Sequence, residues 1–270
     1  MRLIRVNILV LLLSSMLFSC TEYQKTLKSE DFALKYQMAK DLFNQEEYSK
    51  AVLLLEDILP FYRTSTEAEL VNYMYAYCQF AMGNNIVAAH RFKGLYDTYP
   101  YGKYAEQSLF NYAYCNYLES PPIYLDQSGT SIAIEAIQLY INKYTQSERI
   151  EECNGYIDEL NQKLEDKAVY TAQLYYQLQD YKAAIWTLTD VIEKYPFAEE
   201  RPDLEFKVLD SYYKLANNSV ESKKQERFEE VITYFRNNQE SFESSSNASQ
   251  AKNIVNNAQN SLNKYIHEKK

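Results

Sequence analysis

The hexapeptide YAYCQF at residues 75–80 returns as YAYCNY at 112–117, 37 residues further along the chain. Near-identity at such a spacing is the mark of a repeat array, in which each copy is one supersecondary unit. Working outward from this pair and aligning on alanine, four copies appear. Ala51 is followed by Leu55, Ile58 and Tyr62-Arg63, and Ala88 by Phe92, Leu95 and Tyr99-Pro100. Ala133 is followed by Ile137, Tyr140 and Tyr144-Thr145, and Ala184 by Leu188, Val191 and Tyr195-Pro196. Offsets of four, three and four residues hold these side chains on one helical face. The proline that closes two of the copies cannot continue a helix and marks its end.

Each copy is preceded by a helical stretch and a short turn: Asn44–Tyr48, Met82–Asn85 and Leu178–Tyr181. This helix–turn–helix unit resembles the tetratricopeptide repeat. Small residues in its first helix (Ala39, Ala76, Ala113) and its second (Ala51, Ala88, Ala133) let the paired helices approach closely. The spacings between key alanines are 37, 45 and 51, so the array carries insertions. One is the loop Glu119–Gly129, whose Pro121-Pro122 cannot sit inside a helix. The other, Glu148–Lys167, reads as an extra helix with Ile150, Tyr156, Ile157, Leu160 and Leu164 as its apolar positions. Past Arg201-Pro202 a fifth pair is expected, over about Asp203–Ala216 and Lys223–Asn238, as a degenerate capping unit. Ser244–Asn247 is a polar break before a final amphipathic helix, about Ala248–His267. The expected fold is all-α: a helix–turn–helix solenoid of about five repeats plus a C-terminal helix, without a sheet.

The N-terminus has a separate logic. Arg2 and Arg5 precede an apolar run from Val6 to Phe18, too short to span a bilayer as a helix but suited to a secretory signal. The run ends in Leu17-Phe18-Ser19-Cys20, which resembles a bacterial lipobox. The resemblance implies a signal peptide over 1–19, with Cys20 carrying a diacylglyceryl group on sulfur and an acyl chain on its amine. Several acyl chains anchor stably where one would not. No other cofactor is expected. The full chain has a formal net charge of −9; without Arg2 and Arg5 it becomes −11, which argues against nucleic acid as a partner.

With the repeats and the lipobox in place, the chain resembles the BamD family of outer-membrane lipoproteins in the β-barrel assembly machinery. Lys167–Pro196, KAVYTAQLYYQLQDYKAAIWTLTDVIEKYP, carries the resemblance most specifically, and Tyr99–Phe110, YPYGKYAEQSLF, is a second family-like stretch. The Asn-, Lys- and Tyr-rich composition suggests a Bacteroidetes-type member. The inserted Pro-Pro loop and the long acidic C-terminal part depart from proteobacterial members. The resemblance implies a non-enzymatic protein on the periplasmic face of the outer membrane. It would bind a periplasmic domain of a BamA-type (Omp85) insertase and receive unfolded outer-membrane β-barrel proteins. It also implies a lipidated tether over 20–30, substrate-side repeats over 31–147 and insertase-side repeats over 148–270. Arg201 is the nearest match to a family arginine on the insertase-binding side; the bland alternative is a solvated arginine among Glu199, Glu200 and Asp203. Two other readings stand beside this one: another envelope tetratricopeptide scaffold lipoprotein, and a SusD-like glycan-binding lipoprotein.

Catalytic and metal signatures are missing from the sequence. His90 and His267 lie in separate predicted helices, and no nucleotide, metalloprotease or hydrolase motif is present. Cys78, Cys115 and Cys153 lack zinc spacing. Cys78 and Cys115 occupy equivalent places in stacked repeats, at helix separations of ~8–10 Å, too far for a disulfide. Buried free thiols are expected. The aromatics are more telling. Tyr73, Tyr77 and Phe80 fall at i, i+4, i+7 on one predicted helix, and Phe110, Tyr114 and Tyr117 repeat the pattern on the next. Tyr36 and Phe43 repeat it sparsely in the first. The six residues of the two full copies, Tyr73, Tyr77, Phe80, Phe110, Tyr114 and Tyr117, are candidates for a peptide groove; the alternative is that they are plain core.

Overall fold

The computed structural model describes residues 22–268, so Cys20 and the signal segment lie outside the described residues. All regular elements among them are helical: α1 (22–27), α2 (Phe32–Asn44), α3 (Tyr48–Tyr62), α4 (Ala68–Ala81), α5 (Asn85–Thr98), α6 (Ala105–Leu118), α7 (Ser128–Lys143), α8 (Ile150–Gln177), α9 (Tyr181–Lys194), α10 (Arg201–Asn217), α11 (Glu221–Asn237), α12 (Gln239–Ser244) and α13 (Ala248–Glu268). This is the expected all-α class. No helix among the described residues is long and apolar enough to cross a membrane.

Two recurring turns set the repeat phase. Between the helices of a pair, one residue goes left-handed: Glu46 (φ 60°), Gly83 (φ 79°) and Gln179 (φ 61°). The next N–H then reaches five residues back, Glu47 to the Leu42 carbonyl, Asn84 to Gln79 and Asp180 to Tyr175, the long bond of a Schellman cap. Between pairs, the tyrosine of the Tyr-Pro motif accepts from the residue three positions on: Ser65 to Tyr62, Gly102 to Tyr99, Ser147 to Tyr144 and Ala198 to Tyr195, at 3.0–3.2 Å. That residue in turn accepts from the first residue of the next helix, Ala68, Ala105, Ile150 or Arg201. Four turns with the same hydrogen-bond pattern fix one register: Ala68, Ala105, Ile150 and Arg201 are equivalent.

The alanine pattern is the core. Ala51, Leu55, Ile58, Ala88, Phe92, Ala133, Ile137, Tyr140, Ala184 and Leu188 are fully buried, with Leu95 and Val191 nearly so. Each large one contributes ~1.5–3 kcal/mol by leaving water. Ala39, Ala76 and Ala113 face them from the preceding helices, also buried. Cys78, Cys115 and Cys153 are buried free thiols, as expected, and burial pushes Cys78 and Cys115 up to about 12.

One expectation is corrected. The stretch read as a separate extra helix is continuous with the first helix of the next pair, and together they form the 28-residue α8. Nothing in Ile150–Gln177 breaks a helix: it holds no proline, and Gly155 alone costs ~1 kcal/mol. The 51-residue spacing from Ala133 to Ala184 exceeds the basic 37 by 14, and α8 is twice the 14 residues of α4 or α6. Fourteen residues are nearly four helical turns, so the added length rotates the packing face by only ~40°. One uninterrupted helix can therefore serve two cores. Cys153 and Leu160 belong to the core of Ala133, Ile137 and Tyr140, whereas Val169 and Ala172 belong to that of Ala184 and Leu188.

The chain accordingly divides into two compact units within α8. The first comprises residues 22–121 and 127–160; the second comprises 122–126 and 161–268. The second unit ends in a cap sequence reading did not resolve. Helix α11 stops at Asn238, whose Nδ2 donates to the Tyr234 carbonyl at 2.9 Å. The short α12 then turns Phe242 into a core shared with Phe228, Val231, Ala251, Ala258 and Leu262.

Candidate functional site: an aromatic strip on the first helices

The equivalence of Ala68, Ala105, Ile150 and Arg201 shows what each first helix presents at the positions five, nine and twelve residues on. In α4 these are Tyr73, Tyr77 and Phe80, and in α6 Phe110, Tyr114 and Tyr117. The structure brings all six into one run of ring contacts. Tyr77 lies 6.1 Å from Tyr73 and 5.9 Å from Phe80. Phe80 crosses to Tyr114 at 6.0 Å, and Tyr114 lies 6.1 Å from Phe110 and 6.0 Å from Tyr117. Offset and edge-on ring pairs of this kind contribute ~0.5–1.5 kcal/mol each beyond their area. Phe110 is 9% exposed and the other five are half-buried, so the strip is neither bare surface nor sealed core.

Four neighbours extend the strip. Phe43 and Tyr48 meet Tyr77 at 5.5 and 5.7 Å, Tyr104 stacks on Tyr73 at 4.4 Å, and Tyr156 stacks on Tyr117 at 4.3 Å. Phe43 is the residue that periodicity already marks as the sparse continuation of the pattern in α2. Tyr48 and Tyr104 sit beside turns and Tyr156 is out of phase with the ladder, so spacing carried no signal for them. In the α8 phase, Gly155 and Glu159 stand where the aromatics would be, and the strip ends there.

Two hydroxyls at one end of the strip are held from within. The Tyr117 hydroxyl donates to Glu159, and that of Tyr156 donates to Glu152 at 2.6 Å. Carboxylate acceptance favours the protonated phenol, and with burial it raises Tyr117 to about 12. Burial raises Tyr73 to about 12 as well. These hydroxyls stay donors at neutral pH. Arg149 lies over the Phe110 ring, 4.2 Å from its centroid, and its Nη2 donates to Gln107 at 2.8 Å. Gln107 Nε2 passes a hydrogen bond to Asn111 Oδ1 at 2.9 Å, fixing a polar seam beside the rings.

Arg201 lies elsewhere, in the second unit at the start of α10, and its guanidinium is engaged. Nε donates to Glu205 at 2.9 Å, and Nη1 donates to the carbonyls of Ile192 and Pro196 at 3.3 and 3.2 Å. A cation on these carbonyls suits the negative end of α9. Glu205 is 2% exposed and also accepts from Ser241, so the arginine neutralises a buried carboxylate. The side chain is 36% exposed, which is not the freely solvated arginine that its acidic neighbours suggest. His90 is exposed, and among the described residues no group of three His, Cys, Asp or Glu side chains could hold a metal ion.

Comparison with known proteins supplies the context. The chain is 24% identical over 189 residues to the outer membrane protein assembly factor BamD of Caulobacter vibrioides, a match covering 68% of this chain and 61% of that protein. The matched region thus spans less than two thirds of the relative's length. Among solved structures, the TPR domain of P58(IPK) aligns with 93% of this chain and 68% of its own, at 13% identity and a TM-score of 0.40. The nearly identical TPR-like repeats of a kinesin light chain from Podosopora anserina align with 76% of this chain and 95% of their own, at 13% identity and a TM-score of 0.33. The model of the family described as "YfiO: Outer membrane lipoprotein" matches residues 22–228, three quarters of the chain, and the chain belongs to that family.

Proposed function

We propose that this protein is a non-enzymatic subunit of an outer-membrane β-barrel assembly complex, held by lipid on Cys20 and facing the periplasm. Its first unit would hold unfolded barrel precursors, and its second would dock on the periplasmic domain of a BamA-type insertase. The observation that carries the client half of this reading is the continuous, half-buried aromatic strip on α4 and α6. Barrel precursors are alternating chains rich in aromatic residues. Tyr and Phe offer such chains large rigid apolar area at small entropic cost, with hydroxyls for their backbone. For the insertase half, Arg201 spends Nε and Nη1 on this chain, which leaves its remaining edge for a partner carboxylate.

Photo-crosslinking tests the client half. A crosslinker at Tyr77 or Tyr114 is expected to capture an unfolded outer-membrane protein well above the yield from exposed His90 on α5. Equal yields would remove the groove. Co-purification from detergent-solubilised membranes tests the partner half, with an Omp85-type protein expected in the eluate. Arg201→Ala is expected to lose it and Arg201→Lys to keep part of it. Loss of fatty-acid labelling in Cys20→Ser tests the anchor.

A further inference from the structure

The second unit carries a groove that neither the aromatic strip nor Arg201 explains. It lies along α9, is floored by Tyr212 and Leu215 of α10 and walled by α11, and encloses about 510 Å³. Trp186, the single tryptophan of the chain, stands at its edge 72% exposed, beside the half-buried Ile185. A large aromatic left this open beside a concavity is unusual on a folded surface.

Carboxylates outnumber cations around it, three to two. Asp190, Glu193 and Glu230 line the groove, and none of the three is within ion-pair distance of a cation among the described residues. Arg227 donates to Ser219, just past α10, and its charge partly offsets that of Glu230. Lys182 sits at the opposite end, at the start of α9. Partial desolvation at the groove wall and Glu226 raise the pKa of Glu230 against the opposing pull of Arg227, so an added cation would favour its charged form. From Lys182 to Glu193 the helix rises ~16 Å, the reach of a short peptide segment.

We infer that this groove docks a basic, amphipathic peptide segment of a partner protein. Its apolar residues would fill the space over Ile185, Tyr212 and Leu215, and its lysines or arginines would meet the Trp186 ring and the three carboxylates. A cation on an indole face with carboxylates beside it is attracted by both.

Because Trp186 is the only tryptophan, its emission reports this groove directly. The detergent-purified full chain is titrated with a basic peptide of about 12 residues, leucines flanked by lysines, long enough to match the groove. The glutamate-for-lysine counterpart is titrated in parallel. A saturable emission change is expected with the basic peptide alone. By calorimetry, the combined Asp190→Asn, Glu193→Gln, Glu230→Gln variant is expected to bind roughly tenfold more weakly, as is fitting for a few exposed charge pairs. Trp186→Ala is expected to lose about fivefold. All four side chains are at the surface, so the variants should fold. Equal response to the acidic peptide, unchanged binding by the carboxylate variant, or an emission change that tracks self-association by sedimentation would each overturn the inference. Peptide binding here without any co-purified insertase would leave the groove standing and remove the function proposed above; the reverse pattern would remove only the groove.

Discussion

At three equivalent positions of the first helices, α4 has Tyr73, Tyr77 and Phe80, whereas α10 has Phe206, Asp210 and Tyr213. The central substitution changes what that face can do. Tyr77 shares ring contacts with four other aromatics and stays half-buried. Asp210 instead accepts from the Tyr176 hydroxyl at 2.6 Å and pairs with Lys214 at 2.7 Å. That face of the second unit is closed by its own charges. Trp186, one of several exposed aromatics of this unit, sits instead on the second helix of a pair. Equivalent positions of one repeat geometry thus carry a ring cluster in α4 and an ion pair in α10, and repeat position alone does not assign a binding role.

The largest perturbation asks whether the two cores are independent. Phe92→Ala in the first unit and Leu188→Ala in the second each remove a fully buried side chain and should cost ~2–5 kcal/mol. Limited proteolysis should show cleavage confined to the unit that carries the change, as nearest-neighbour packing in a solenoid requires. Cleavage spread evenly over both would contradict the division within α8.

Next comes the faces themselves. Tyr77→Ala with Tyr114→Ala should weaken capture of an unfolded outer-membrane protein by about tenfold, through lost ring area. Asp210→Ala should leave capture unchanged while loosening the second unit. The pair measured by crosslinking yield separates a strip that binds from one that only packs.

The turns offer a smaller and opposite-signed comparison. Gly83 occupies the left-handed position at no steric cost, while Glu46 and Gln179 occupy it against their side chains. Gln179→Gly should raise stability by up to ~1 kcal/mol and Gly83→Ala should lower it by about as much, read as shifts in Tm. The least expected effect is at Gly155, inside α8 with open space where a Cβ would stand. Gly155→Ala should stabilise by about 0.5–1 kcal/mol and leave client capture alone.

Periodicity carried a good deal of this protein. The Ala-x3-apolar-x2-apolar pattern named the buried face of four helices, because burial on a helix must recur every three to four residues. The hexapeptide YAYCQF and its copy set the phase, and the same phase correctly assigned Cys78 and Cys115 to packing. What periodicity cannot supply is how far a helix runs when no residue stops it, so the pattern alone divides α8 into two helices. It also could not say whether an aromatic at the right offset is open or sealed, since exposure depends on neighbours distant in the chain. Tyr156 joining Tyr117, Arg201 neutralising Glu205 and Trp186 left bare beside a groove are all such cases. Local propensity determines which face of each helix goes inward; only the packing of one helix against another decides what remains for a partner.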